Sequence, residues 1–246
     1  EAVKKEFKLV MLGASGSGKS CLAMRLLKDE FAEAHVPTIG VEHSRHKLTT
    51  AANKLLKLQI WDRAGVATYG AVTNAYWKKA AGAMLVFDIA DRASFEFVTQ
   101  AAEEIAAQGN AGIPVVLAGS KADLDERVVE ADEAEALCKT LAETLGVATV
   151  PFVETSASDS FNVEEAFATL AHLAFLKQFP PQDASEAEDA AAAEREAARL
   201  QAETDEAARL AAEEEQESAR AAAEEEKARL AAEAEAEAEA ARVAAE

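Results

Sequence analysis

The chain has 246 residues, half of them hydrophobic, and a formal net charge of −20. Residues 183–246 carry 21 acidic and 7 basic side chains, a net of −14, which leaves −6 for residues 1–182, a stretch long enough to bury a proper core. That balance argues against sequence-independent binding to nucleic acid, which needs Lys/Arg clusters, and against electrostatic adhesion to anionic lipid. Cys21 and Cys138 have no short spacing between them and fit reduced thiols better than a disulfide or metal pair. No apolar run approaches the ~20 residues of a membrane span, and residues 1–6 lack the pattern of a signal peptide, so a cytoplasmic chain is expected.

Phe7–Leu12 is a short apolar run of strand type, and Cys21–Leu27 has apolar residues at helical spacing. Between them stands Gly13-Ala14-Ser15-Gly16-Ser17-Gly18-Lys19-Ser20, which reads G-x-x-x-x-G-K-S. Its glycines let the backbone wrap a phosphate chain, so that the N–H groups over Ser15, Gly16, Ser17, Gly18, Lys19 and Ser20 face negative charge at a helix N-terminus. Residues 29–38 read as a loop, and residues 41–50 and 54–61 as a hairpin around Ala51-Ala52-Asn53, the second run alternating at Leu56, Leu58 and Ile60.

Residues 83–88 form a fully apolar strand of the kind buried on both faces of a parallel sheet. A helix over 93–108, a strand over 113–118 with Pro114 near its start, a helix over 130–145, a strand over 150–153 and a helix over 162–177 complete the order. Strands alternating with helices predict an α/β fold: a six-stranded, mostly parallel sheet flanked by helices, with the ligand beyond the carboxyl ends of the strands.

A phosphate loop by itself says nucleoside triphosphate. Lys19 would add a point charge at the β- and γ-phosphates and the Ser20 hydroxyl would sit on Mg²⁺. Asp62, at the end of an apolar strand, has the place of a carboxylate that holds Mg²⁺ through water, Thr38 could supply a second hydroxyl, and the Gly65 N–H could meet a γ-phosphate. His35, His43 and His46 lack metal-site spacing and His172 reads as a helix-face residue, so no metal beyond Mg²⁺ is expected. The Lys54/Lys57 and Lys78/Lys79 pairs read as solvated faces.

At these residues residues 7–178 resemble a Ras-superfamily small GTPase, and within it a Rab. The resemblance is carried by Gly13 to Ser20, Pro37-Thr38-Ile39-Gly40-Val41-Glu42, Lys57-Leu58-Gln59-Ile60-Trp61-Asp62, Leu85-Val86-Phe87-Asp88-Ile89, Lys121-Ala122-Asp123 and Glu154-Thr155-Ser156-Ala157. It implies a switch that binds GTP or GDP with Mg²⁺. Phe31 would pack edgewise on the base, Asp123 would accept from the guanine N1 and amine, Lys121 would lie along the base, and the Ala157 N–H would meet O6, with Ser120 and Ser156 in the same pocket. A carboxylate suits guanine, which alone presents two adjacent donors on that edge. Effectors would be met through Ile39, Gly40, Val41, Trp61 and Tyr76, within residues 37–42 and 62–77.

The chain departs from that family pattern at several points. Val66 follows Gly65 where a glutamine usually orients the attacking water, so hydrolysis is expected to be slow. Ser120 replaces the asparagine of N-K-x-D and is expected to reach a single partner, at a cost on the order of 1 kcal/mol. Ser158 replaces the lysine of S-A-K, and Arg63 follows Asp62 where threonine is usual, reading as a surface residue ahead of a catalytic one.

Beyond a Pro-containing hinge at 179–184, residues 185–246 are rich in Ala, Glu and Arg, which predicts a long helix of roughly 90 Å at ~1.5 Å per residue. Leu200, Leu210, Leu230 and Val243 do not keep a clean heptad, so a solvated single helix or spacer competes with a coiled coil or a helix docked on a partner. No cysteine follows Cys138, so no prenyl anchor is expected from this sequence. Two functions stay open at this point. One is a slowly hydrolysing Rab-like switch; the other is a structural adaptor of a cytoskeletal or ciliary assembly in which the nucleotide is a folded-in part.

Overall fold

A computed structural model of the chain describes residues 5–32, 38, 40–50, 54–63, 76, 78–107 and 112–180. Expectations for the tail, the end of the hinge, Ile39, Gly65 and Val66 fall outside these residues.

Among the described residues six strands and four helices follow one another, with β2, β3 and β4 in succession: β1 (Glu6–Leu12), α1 (Lys19–Lys28), β2 (Val41–Thr49), β3 (Leu55–Arg63), β4 (Ala80–Asp88), α2 (Arg92–Ile105), β5 (Val115–Ser120), α3 (Ala131–Leu145), β6 (Phe152–Glu154) and α4 (Val163–Gln178). The sheet order is β2-β3-β1-β4-β5-β6, with β2 antiparallel to β3 and every other pair parallel. The order reverses beside β1, so the loop after β1 opens at the point where crossovers leave to opposite faces and a crevice forms.

Side chains of the central strands point alternately into two cores. Phe7, Leu9 and Met11 of β1, Met84 and Val86 of β4 and Val116 and Ala118 of β5 pack with α1 and α4. Val10 and Leu12, Leu85 and Phe87, and Val115 and Leu117 face the opposite way, toward α2 and α3. Gly82 lets α4 lie close to β4, since a Cβ there would fall 2.8 Å from Leu170 Cδ1.

Element ends differ from expectation for local reasons. Pro114 and Pro151 lack an N–H and stand just before their strands; their carbonyls still accept from Ala83 and Leu117, both at 2.9 Å, so β5 and β6 begin after them. β3 runs past Asp62 because Arg63 pairs with Val41. α2 starts where the Asp91 carboxylate accepts the Ala93 N–H at 3.0 Å, and α3 stops at Gly146 with φ +65°.

Candidate nucleotide-binding site

All the chemistry-bearing loops lie at the carboxyl edge of the parallel strands. In the sheet register Met11 stands beside Asp62, Leu12 beside Leu85, Asp88 beside Ser120 and Gly119 beside Glu154. The loop after β1 is closely fitted to its surroundings. A Cβ on Gly13, at φ +151°, would collide with the Val86 carbonyl oxygen, and one on Gly18, at φ +87°, would lie 3.0 Å from Ser120 Oγ.

Lys19 opens α1 with only 5 % of its surface exposed. Its ammonium donates to the carbonyls of Gly13 at 3.0 Å and Ala14 at 2.6 Å and lies 3.4 Å from Ser17 Oγ. Burial lowers its pKa to about 8, against the attraction of Asp62, while Arg63 pushes in the same direction as burial. The first N–H groups of α1 have no carbonyl one turn earlier, so an anion before this helix meets donors, the positive helix end and a cation together.

One residue on, the Ser20 hydroxyl donates to Asp62 Oδ2 and lies 2.8 Å from Thr38 Oγ1, which itself donates to Oδ2 at 3.3 Å. Side-chain oxygens from a helix, a loop and a strand end thus converge. Asp62 Oδ1 is buried with no hydrogen-bond partner among the described residues. Burial is the main cause that pushes the Asp62 carboxyl above its ordinary value, outweighing the Ser20 hydroxyl, the Lys19 charge and the Thr38 hydroxyl. An orphaned carboxylate oxygen among hydroxyls fits a hard divalent cation such as Mg²⁺, whose charge would offset that cost. Among the described residues no cluster of three or more His, Cys, Asp or Glu offers another metal site.

The base-reading loops are tied to the phosphate loop. Ser120, at the end of β5 and 1 % exposed, donates to the Ser17 carbonyl at 2.7 Å, so the serine that stands for asparagine still spans the two loops. Lys121 adopts a left-handed φ of +63° and pairs with Asp88 Oδ2 at 2.5 Å; Asp88 also accepts the Ala90 N–H at 2.9 Å. Partial burial would raise the Asp123 carboxyl. The hydroxyls of Ser156 and Ser158, its own N–H and the Lys121 charge together bring it below the ordinary range. Ser156 Oγ lies 2.9 Å from Ser158 Oγ and accepts the Asp159 N–H at 3.2 Å, so the residue in place of the S-A-K lysine is a member of this network. Phe31, just past α1, has a ring 41 % exposed and free to cover an apolar face.

The residues expected at an effector surface separate. Gly40 has φ +81° and leads into Val41 at the head of β2, while His43 stacks on its register partner Trp61 with ring centroids 5.4 Å apart. Lys8 places its ammonium 3.5 Å from the Trp61 ring centroid. Tyr76 is 1 % exposed and donates to the Met11 carbonyl at 2.8 Å, so its ring belongs to the core instead of facing a partner. Arg63 is neither a free surface side chain nor turned to the metal ligands: it pairs with Glu104 of α2 at 2.7 Å. Sequence reading gave no site role to Arg25, Asp88 or Lys8, whose partners Ala157, Lys121 and Trp61 are distant in the chain.

An α/β domain whose phosphate-loop motif runs from a strand end into a helix N-terminus, with the Ser20, Thr38 and Asp62 oxygens gathered beside it, is the class that this geometry defines. Residues 8–175 match the Ras family. Relatives are Ras-related protein RIC1 of Oryza sativa subsp. japonica, 41 % identical over 165 residues, 67 % of this chain and 78 % of the relative; GTP-binding protein ypt1 of Schizosaccharomyces pombe, 40 % over 165 residues, 67 % and 77 %; and Ras-related protein Rab-1D of Dictyostelium discoideum, 38 % over 183 residues, 72 % and 86 %. The chain belongs to the Ras family, as a Rab-like small GTPase.

Proposed function

We propose that the chain is a guanine-nucleotide switch that takes GTP or GDP with Mg²⁺, hydrolyses GTP slowly and recruits protein effectors in vesicle traffic. The observation that carries the reading is the convergence of Ser20, Thr38 and Asp62, with Asp62 Oδ1 unpartnered, beside the buried ammonium of Lys19. Bound there, Mg²⁺ would neutralise charge on the phosphates. Ser20 and Thr38 would direct their hydroxyl oxygens at the metal, with Asp62 reaching it through water. Lys19 would exchange the loop carbonyls for phosphate oxygens, which return an anionic partner to a cation that burial has made costly.

Asp123 stays ionised to accept from guanine N1 and its amine, Ser156 and Ala157 close the far edge, and Phe31 covers the ring. Val66 can neither accept nor donate a hydrogen bond and leaves the attacking water unoriented, which makes turnover slow. Thr38, from the loop before β2, responds to the metal and γ-phosphate and couples residues 37–42 to the bound nucleotide. The relatives favour this switch over the structural-adaptor reading. Residues 185–246, rich in Ala, Glu and Arg, would serve in the same scheme as a spacer or as a surface for a partner.

The test is to purify the full chain, identify the nucleotide it carries by chromatography and follow single-turnover hydrolysis of GTP with Mg²⁺. The expected result is bound guanine nucleotide and GTP that persists far longer than on a small GTPase with the usual glutamine. A chain that carries none and takes up none with Mg²⁺ overturns the reading; brisk turnover overturns the slow-hydrolysis part alone.

A further inference from the structure

Arg25 sits in the last turn of α1, the helix that begins with Lys19 and Ser20. Its guanidinium uses all three nitrogens. Nε donates to the Ala157 carbonyl at 2.7 Å and Nη2 to the Ser158 carbonyl at 3.0 Å, while Nη1 donates to both the carbonyl and the carboxylate of Asp29, each at 2.9 Å. The side chain is only 13 % exposed although its partners belong to turns at the surface. Asp29 caps α1 in a left-handed conformation, φ +55°, and its carboxylate also accepts the Ser160 hydroxyl at 3.5 Å. One planar fork therefore joins the end of the phosphate-binding helix to two successive carbonyls of the loop that carries Ser156, Ala157 and Ser158.

The consequence for the loop is specific. Fixing the carbonyls of residues 157 and 158 fixes the peptide planes on either side of Ser158 and the direction of the chain leaving Ala157. Ser156 is held from the other side, its hydroxyl accepting the Asp159 N–H at 3.2 Å and its N–H donating to the Phe161 carbonyl at 3.0 Å. The Ala157 N–H is then left with one orientation relative to α1. A guanidinium makes several such bonds at fixed angles with one immobilised side chain; an ammonium would reach one carbonyl and leave the other to swing.

We propose that Arg25 is a positioning residue for guanine recognition, holding the Ser156–Ser158 loop at a set distance from α1 so that the Ala157 N–H meets the base O6. The inference rests on the guanine-nucleotide reading of the site. It adds that discrimination at O6 is set from the phosphate-binding helix and not by the base loops alone.

The test crosses the side chain with the ligand atom. Full-length protein is stripped with chelator and reloaded with Mg²⁺ and either GDP or 6-thioguanosine diphosphate, which carries sulfur, a weaker acceptor, in place of O6. Dissociation of each is then timed for the wild type, Arg25→Ala and Arg25→Lys. In the wild type GDP is expected to stay longer than the thio analogue. In Arg25→Ala GDP leaves about tenfold faster, the loss expected for roughly one well-made hydrogen bond, and the preference for GDP falls toward one. Arg25→Lys falls between the two and carries the test if the alanine variant does not fold. A variant that speeds both ligands by the same factor, or neither, overturns the proposal, because a tie that only braces the fold cannot tell oxygen from sulfur. A wild type that holds no guanine nucleotide overturns the reading of the site itself.

Discussion

Ser120→Ala isolates the tie between the phosphate loop and the base-reading strand. The hydroxyl it removes donates to the Ser17 carbonyl at 2.7 Å, and both residues are almost fully buried, at 1 % and 0 % exposed. Leaving a buried acceptor without its donor costs about 1–3 kcal/mol, against 0.5–1.5 kcal/mol for a typical bond counted net. Taking about 2 kcal/mol, and about 2–4 °C per kcal/mol for a domain of this size, the melting temperature should fall by roughly 4–8 °C. Thr155→Val, just past the neighbouring strand β6, is the control. Its hydroxyl donates to the Gly119 carbonyl at 3.2 Å, but that carbonyl also accepts the Thr155 N–H at 2.7 Å, so it keeps a partner after the exchange and the loss should stay under about 1 kcal/mol. Thermal unfolding of the full chain, followed by circular dichroism at fixed nucleotide and Mg²⁺, reads both. Equal shifts in the two variants, or a Ser120→Ala shift below about 1 °C, would refute the claim that the Ser17 carbonyl depends on this hydroxyl.

Val66→Gln should raise single-turnover GTP hydrolysis at least tenfold, read by phosphate release; an unchanged rate means that another residue limits turnover. Asp123 is held below the ordinary carboxyl value of 3.8, so the stability it contributes is present above its unfolded pKa and lost as the pH falls through its lower folded pKa. GDP affinity, measured by fluorescence titration, should therefore show no loss from this carboxyl between pH 7 and about 5, and Ser158→Ala should move the acid loss to higher pH. Gly82→Ala should cost about 1–3 kcal/mol in urea unfolding because its Cβ meets Leu170 Cδ1 at 2.8 Å, and Leu170→Ala in the same chain should cost less than in the wild type. Additive costs would show that α4 can move aside.

The fold was legible because β1, β4 and β5 are apolar on both faces, a pattern that only a sheet covered on two sides accommodates. The phosphate-loop motif was legible for a different reason: Gly13 to Ser20 stands between an apolar strand and a helix, whereas Asp123 was read only through the resemblance. Contacts set by tertiary packing left no local trace. Tyr76 was expected among the residues that meet effectors, yet its ring is buried and packs edgewise on Trp61, with centroids 6.3 Å apart. Arg25 drew no reading from the sequence, because its partners Ala157 and Ser158 lie more than a hundred residues on. Lys121 was expected along the base, and its pairing with Asp88 depends on β4 and β5 ending side by side.

The division of labour between the two cores also bears on how the chain is made. One of them draws Val163, Ala166, Phe167, Leu170, Ala171 and Ala174 from α4, the last helix of the described domain, and so cannot close until that helix has been synthesised. The 68 residues that follow Gln178 in this sequence take roughly 3–14 s to translate at ~5–20 residues per second. A mixed α/β domain folds well inside that interval. The fold around the phosphate-loop motif can thus close while the acidic tail is still being added at the ribosome.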